Sequence, residues 1–277
     1  MQISEIPKNI FIYYPKFYYS FKSENKFSTW LKKRRSQYFL SDKKNWDGHL
    51  LKFLFGVPYY WPWLSKINFV DVSSILDVGC GNGSLIRQIS ASKTKRILGV
   101  DLFIEKDLKV ANNCEIQKKT VFELSEKFDL IMMHDSLEHM SEQKEVLCKV
   151  ASLMAVDATL IIRIPILGAA WEQNGVFWAG LDAPRHFFLH SQKSMKTLAE
   201  KANLSVTEIL FDSNESQFIL SEQYKTGISQ VDGRSYARGK EKSGYTKAQI
   251  KSFQNQAQRR NELGVGDHAV FYLKAKN

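Results

Sequence analysis

The stretch that most constrains this chain is Ile75-Leu76-Asp77-Val78-Gly79-Cys80-Gly81-Asn82-Gly83. A short apolar run rich in β-branched residues reads as a buried strand, and glycines follow at alternate positions. Ser84-Leu85-Ile86-Arg87-Gln88-Ile89 then opens a helical pattern, predicted over 84–91. Strand, glycine turn and helix N-terminus in that order make a cradle: glycine adopts φ > 0 and lets a ligand approach the backbone. The exposed N–H groups of the helix start suit a carboxylate or a phosphate.

Spacing separates the candidate ligands. The dinucleotide fingerprint is G-x-G-x-x-G, whereas the glycines here fall at 79, 81 and 83 and position 84 is Ser. Asp77 lies two residues before the first glycine, where it could meet a cationic group. S-adenosylmethionine carries an amine, a carboxylate and a sulfonium, and suits an acid beside a helix N-terminus better than a pyrophosphate does. Ile97-Leu98-Gly99-Val100-Asp101 is a second buried strand ending in an acid, 18 residues after Gly83. That is close to the roughly 20-residue spacing of a carboxylate that accepts ribose hydroxyls.

A third such strand, Phe128-Asp129-Leu130-Ile131-Met132-Met133, runs into His134-Asp135-Ser136-Leu137-Glu138-His139. Together these segments resemble the class I S-adenosylmethionine-dependent methyltransferases over about residues 70 to 212. Asp182-Ala183-Pro184-Arg185-His186, Ser191 to Leu204 and the tail Gly264 to Leu273 look like one bacterial branch of that family. The resemblance implies cofactor contacts at Asp77, Gly79, Cys80, Gly81, Asn82, Gly83, Asp101, Leu102, Thr120, Val121, His134 and Asp135. It places His134 at the methionine end. The family's usual adenine-binding acid falls near Thr120 here, with Glu123 three residues on, so adenine recognition departs from the pattern. No Asn-Pro-Pro-Tyr or Asp-Pro-Pro-Tyr follows the fourth strand, which disfavours methylation of a base or glutamine nitrogen.

Methyl transfer to oxygen needs alignment, exclusion of water and removal of one proton; orientation alone supplies roughly 7–11 kcal/mol. His186 ranks first as the base, with Arg185 beside it to hold an anionic or polyhydroxyl substrate, and His139 is a further candidate. Asp135-x-x-Glu138-His139 is similar to the acid-x-x-Glu-His segment of ubiquinone-biosynthesis O-methyltransferases, where a divalent cation has a role. We expect no metal, with Glu138 and His139 capping the next helix and satisfying loop amides.

Alternating strands and helices imply a doubly wound, Rossmann-like α/β sheet with ligands at the strands' carboxyl ends. Seven strands are expected, near 75–79, 97–101, 114–117, 128–133, 160–164, 206–211 and 268–273; the resemblance sets the last antiparallel between the fifth and sixth. Helices are expected at 142–154, at 192–203 capped by Ser191, and from a Thr246/Gln249 capping box to about 261. The link 166–190 is long enough to be functional. Residues 213–264 read as an insertion, of low regularity over 213–245, within a domain spanning 70–277.

Residues 1–69 differ from the rest and read as a cap of two or three helices. Residues 1–70 hold 12 Lys+Arg against 4 Asp+Glu, so most of the +10 net charge lies there, among Tyr13, Tyr14, Phe17, Tyr18, Tyr19, Trp30, Trp61 and Trp63. This stretch offers contact to an anionic substrate, a nucleic acid or a membrane surface. No signal peptide is evident, no run nears the ~20 apolar residues of a membrane span, and Cys80, Cys114 and Cys148 lack metal or disulfide spacing. A reduced, cytoplasmic enzyme methylating oxygen of a small-molecule or glycan-type acceptor is the expectation. An RNA methyltransferase, a cofactor-binding protein without turnover and an NAD-dependent oxidoreductase are the alternatives.

Overall fold

The computed structural model describes residues 1–3, 5–14, 26–40, 46–92 and 94–276. Apolar runs buried on both faces, the signature of parallel strands, form β1 (Ser74–Val78), β2 (Arg96–Val100), β5 (Phe128–His134) and β6 (Met154–Pro165). With β3 (Leu108–Ala111), β4 (Cys114–Gln117), β7 (Leu204–Phe211) and β8 (His268–Ala275) they make one sheet, in the order β3-β4-β2-β1-β5-β6-β8-β7. The strands from β4 to β6 run parallel. β8 lies antiparallel between β6 and β7, with Phe271 opposite both Ile162 and Ile209, the placement expected of the last strand. Among the described residues the sheet has eight strands rather than seven. The extra one, β3, joins β4 through Asn112-Asn113 as an antiparallel edge hairpin. Its four residues, none of them buried, are too few for periodicity to reveal.

Helices cover both faces. Val146, Leu147 and Val150 of α5 (Gln143–Leu153) and Met195 and Ala199 of α7 (Gln192–Lys201) join one core with Leu76, Ile131, Ile162 and Phe271. Ser191 caps α7, accepting from the Ser194 amide at 3.2 Å. On the opposite face, Leu85, Ile86 and Ile89 of α4 (Ser84–Ile89) pack with Ile75 and Ile97. Leu40 of α1 (Lys26–Leu40), Trp63 and Leu64 of α3 (Trp61–Leu64) and Tyr60 just before it complete that layer, while α2 (Trp46–Phe55) packs on α1. The Tyr272 hydroxyl donates to the Trp63 carbonyl at 2.7 Å, tying β8 to this layer. Phe17, Tyr18 and Tyr19 lie outside the described residues.

The long link contains α6 (Ala169–Asn174) and the buried Trp178, whose indole donates to Asp267 at 2.8 Å. Beyond β7 the chain is more regular than expected. α8 (Ser216–Lys225) precedes α9 (Lys247–Glu262), which opens with the anticipated Thr246/Gln249 box. Phe218, Ile219 and Leu220 are consecutive and all buried in α8, so its sequence lacks a one-sided stripe.

Candidate active site

A cavity of about 760 Å³ opens at the carboxyl ends of β1, β2, β4 and β5. Its floor is the glycine turn, where Gly79, Gly81 and Gly83 have φ of 76°, 55° and 76°. A Cβ at Gly79 would stand 2.5 Å from Ser136 Cβ; the Ser136 hydroxyl itself donates to the Val78 carbonyl at 2.8 Å. Asp101 stitches the turn to β2: its Oδ2 accepts from the Gly81 amide (2.9 Å) and its Oδ1 from the Phe103 amide (2.8 Å).

Asp77, Gly79, Cys80, Gly81, Asn82 and Asp101 all border this cavity. So do Leu102, Thr120, Val121, His134 and Asp135. Gly83 does not; it begins α4, and a Cβ there would meet Ile116 Cδ1 at 2.3 Å. Thr120 caps a short 3₁₀ turn, both its amide and its hydroxyl donating to Glu123, at 2.6 and 2.9 Å. Burial, and then the neighbouring Asp101, pushes the Asp77 carboxyl up to about 7. Burial likewise raises Asp101, against the pull of its two amide donors.

The post-β5 loop supplies the opposite wall. Asp135 sits at φ 49°, an unfavourable conformation for a side-chain-bearing residue. Its carboxylate is 3.0 Å from Arg163 Nη1 and 2.8 Å from His268 Nε2, with His134 Nδ1 at 2.9 Å. Arg163 Nε and His268 Nδ1 reach back to Asp212, at 2.6 and 3.2 Å. Burial opposes charge on Asp135, but His134, Arg163 and His268 together hold it well below the usual carboxylate range. Trp63 and Tyr59 pack on the His134 ring, with centroids 5.6 and 5.9 Å away.

Of the three proposed catalytic side chains, His139 borders the cavity, while Arg185 and His186 stand behind it. His139 Nδ1 is 2.9 Å from the Arg185 carbonyl oxygen and 3.0 Å from the Tyr14 hydroxyl. The His186 ring lies 4.8 Å from the His139 ring, its Nδ1 2.9 Å from the Gly180 carbonyl oxygen. Arg185 pairs with Asp182 at 2.5 Å. Burial lowers both imidazoles to about 4, so both are neutral at pH 7.

Glu138 and His139 do not cap α5. Glu142 holds the N-cap position without a side-chain bond, because the Leu137–His139 turn is a separate 3₁₀ element that buries Glu138. Gln143 closes that turn instead, donating to the Leu137 carbonyl at 2.6 Å. Glu138, His139 and His186 bring one ligand atom each within 4.8 Å of one another and could hold a metal ion.

Tyr14, on the cavity wall, and Arg163, which pairs with the wall residue Asp135, escape sequence reasoning. Tyr14 reaches the cavity from the N-terminus and stacks on Phe103 at 4.9 Å, a contact no local pattern encodes. Arg163 gave a signal: a cation in the run Leu160-Ile161-Ile162-Arg163-Ile164 must find a buried counter-charge.

A cavity of this volume lies within the range of nucleoside-sized sites. Its side-chain-free floor and strand-terminal acids define a Rossmann-like site for an adenosyl ligand. Residues 33–209 match the family described as "Methyltransferase domain". The chain belongs to this family and carries an S-adenosyl-L-methionine-dependent methyltransferase domain. Among curated proteins it is similar to (S)-coclaurine N-methyltransferase of Papaver somniferum, 27% identical over 141 residues. That alignment covers 43% of this chain and 40% of the plant protein, so the match spans about two fifths of that relative's length. Similar solved structures include an O-methyltransferase from a polyketide synthase multienzyme of Brevibacillus brevis with S-adenosyl-L-homocysteine (TM-score 0.48, 16% identity, 77% of this chain and 70% of that one). Another is the 1,6-didemethyltoxoflavin N1-methyltransferase of Burkholderia thailandensis (TM-score 0.46, 12% identity, 79% and 77%).

Proposed function

We propose that this protein, acting in the cytoplasm, transfers the methyl group of S-adenosylmethionine to an oxygen of a small-molecule or glycan-type acceptor. The observation that carries this reading is the neutral His139 on the cavity wall, in the same cavity as the glycine turn and Asp101. Bound S-adenosylmethionine supplies a methyl carbon on a sulfonium, and on transfer to oxygen the carbon–sulfur pair returns to sulfur. Asp101 and the turn amides hold the adenosyl and amino-acid parts, and Asp77 faces the ligand's cationic end. The Glu138–His139–His186 group draws the proton from the acceptor hydroxyl. Arg185 positions it, its carbonyl orienting His139 and its guanidinium holding Asp182. Residues 1–69 act as the cap, with Tyr14 closing the wall beside Phe103. The test is labelled-methyl transfer with fractionated metabolites and envelope polysaccharide as acceptors. His139→Ala should lose turnover by at least a hundredfold with S-adenosylhomocysteine affinity unchanged; equal loss of both would refute the assignment.

A second feature favours an acceptor presented at a membrane surface. α2 exposes Trp46, Leu50, Phe53 and Leu54, spaced i, i+4, i+7 and i+8, with Phe53 83% and Trp46 81% exposed. That stripe, in the most basic part of the chain, has the character of an interfacial helix. Tyr59, four residues beyond α2, borders the cavity. No helix among the described residues is long and apolar enough to cross a membrane.

A further inference from the structure

Strand register gathers four charged side chains at the carboxyl end of the sheet. His134 of β5 stands opposite Arg163 of β6, and Pro165 opposite His268 of β8. The Asp212 amide donates to the His268 carbonyl at 3.1 Å. Of Asp135, Arg163, Asp212 and His268, Asp135 borders the cavity and the other three stand behind it. The Asp135 side chain is 39% exposed, against 11% for Arg163.

Arg163 grips Asp135 through both its side chain and its backbone. Its Nη1 donates to the two Asp135 oxygens at 3.2 and 3.0 Å, and its carbonyl accepts from the Asp135 amide at 2.9 Å. Its Nε reaches Asp212 at 2.6 Å. A carboxylate oxygen only accepts, and both His268 nitrogens face one: Nε2 is 2.8 Å from Asp135, Nδ1 3.2 Å from Asp212. The ring therefore carries both protons, and two cations balance two carboxylates. Stability alone is a weak reason for such a cluster, since aliphatic side chains of similar volume commonly replace a buried ion pair without loss. Ile162 and Ile164, fully buried on either side of Arg163, show that β6 takes aliphatic residues there. What the cluster does hold is Asp135 at φ 49°, a conformation that persists only where the surroundings over-determine it.

Strand order says which part of a ligand meets this residue. Thr120 follows β4, Asp101 follows β2, the glycine turn follows β1 and Asp135 follows β5, and these strands lie in the order β4-β2-β1-β5. A cofactor with its ribose at Asp101 and its adenine beside Thr120 directs its amino-acid end across the turn toward Asp135. We propose that Arg163 and His268 are positioning residues that, acting through Asp135, fix the wall receiving the amino-acid end of the cofactor. The inference rests on the methyltransferase reading and deepens it. Holding that end sets the direction in which the sulfonium presents its methyl group, and alignment of this kind is a large part of what such a site supplies. Because the cluster is neutral, it stiffens the wall without adding a charge that would repel the ligand's carboxylate.

The test compares two ligands on the full chain by calorimetric titration. S-adenosylhomocysteine carries the amino-acid part; 5′-methylthioadenosine has the adenosyl thioether without it. Arg163→Met should weaken S-adenosylhomocysteine at least tenfold and methylthioadenosine less than twofold. Unchanged affinity for S-adenosylhomocysteine, or equal loss for both ligands, would overturn the inference, since a merely structural role would harm both alike. Should Arg163→Met fail to fold, His268→Gln is judged by the same comparison, with a selective loss of at least threefold expected. Wild type that binds neither ligand removes the methyltransferase reading itself. Wild type that binds both, with no selective loss in either variant, removes the positioning role alone.

Discussion

Asp101 shows how one residue serves both fold and site. Its carboxylate holds the Gly81 amide at 2.9 Å and the Phe103 amide at 2.8 Å, so the turn keeps its shape through the group expected to meet the ribose. Asp101→Ala should weaken S-adenosylhomocysteine binding by about 2 kcal/mol, roughly thirtyfold, the scale of hydrogen bonds to a charged group; unchanged affinity in a calorimetric titration would contradict the role. Asp77 makes the same cavity sensitive to pH. Because its carboxyl is raised to about 7, the free protein carries it largely neutral below that pH. Affinity for the cationic cofactor should rise as pH climbs through 7, and Asp77→Asn should flatten that rise. A profile unchanged by Asp77→Asn would separate Asp77 from the ligand's charge. These two acids were legible because strand ends and glycine spacing are local. Arg163 was legible only as an anomaly, since its partners Asp135, Asp212 and His268 come from three other segments. His186 was conspicuous in Pro184-Arg185-His186, yet its place behind His139 depends on how the long link folds back.

Among the elements, the glycine turn and the loop after β5 interlock. An Ala at Gly79 would put Cβ 2.5 Å from Ser136 Cβ while the backbone stays at φ 76°. Gly79→Ala should therefore lower Tm by several degrees and impair cofactor binding together; a variant with native Tm and affinity would show that the loops move apart freely. The charge network behind the loop links β6, the end of β7 and β8, and it sets a pH window. Despite burial and repulsion from Arg163, Asp135 and Asp212 lift His268 to about 9, so its stabilisation is complete below about 6.5 and fades as pH rises through 9. Despite burial, Arg163 and then His268 hold Asp212 down to about 2, so its contribution is present above about 4 and fades as pH falls through 2. Thermal scans should show a Tm plateau between these limits, and His268→Gln should remove the alkaline decline; an identical decline in the variant would exclude His268 as its cause. The long parallel strands announced themselves as apolar runs. β3 and α8 did not, one being too short and the other buried too evenly for a period to show.

At the scale of the whole molecule, Leu40, Tyr60, Trp63 and Leu64 of the N-terminal segment pack with the sheet on the α4 side. Trp63, fully buried among Ile75, Leu85 and Ile86, joins the basic segment to the sheet, and its carbonyl receives the Tyr272 hydroxyl. The outward face of α2 should bring the molecule to anionic membranes: vesicles containing phosphatidylglycerol should co-sediment it, phosphatidylcholine vesicles should not, and high salt should weaken the effect. Phe53→Glu should reduce that partition at least tenfold; equal recovery of both proteins with the vesicles would rule the α2 face out. The sequence marked this segment as basic and aromatic, but which aromatics turn inward is decided by long-range packing. Everything proposed depends on the cavity over the glycine turn being an adenosyl-sulfonium site. Calorimetric titration of the full chain with S-adenosylhomocysteine, and in parallel with NADH, tests that most directly. Saturable one-site binding of S-adenosylhomocysteine and none of NADH is the expected result; NADH binding without S-adenosylhomocysteine binding would contradict it.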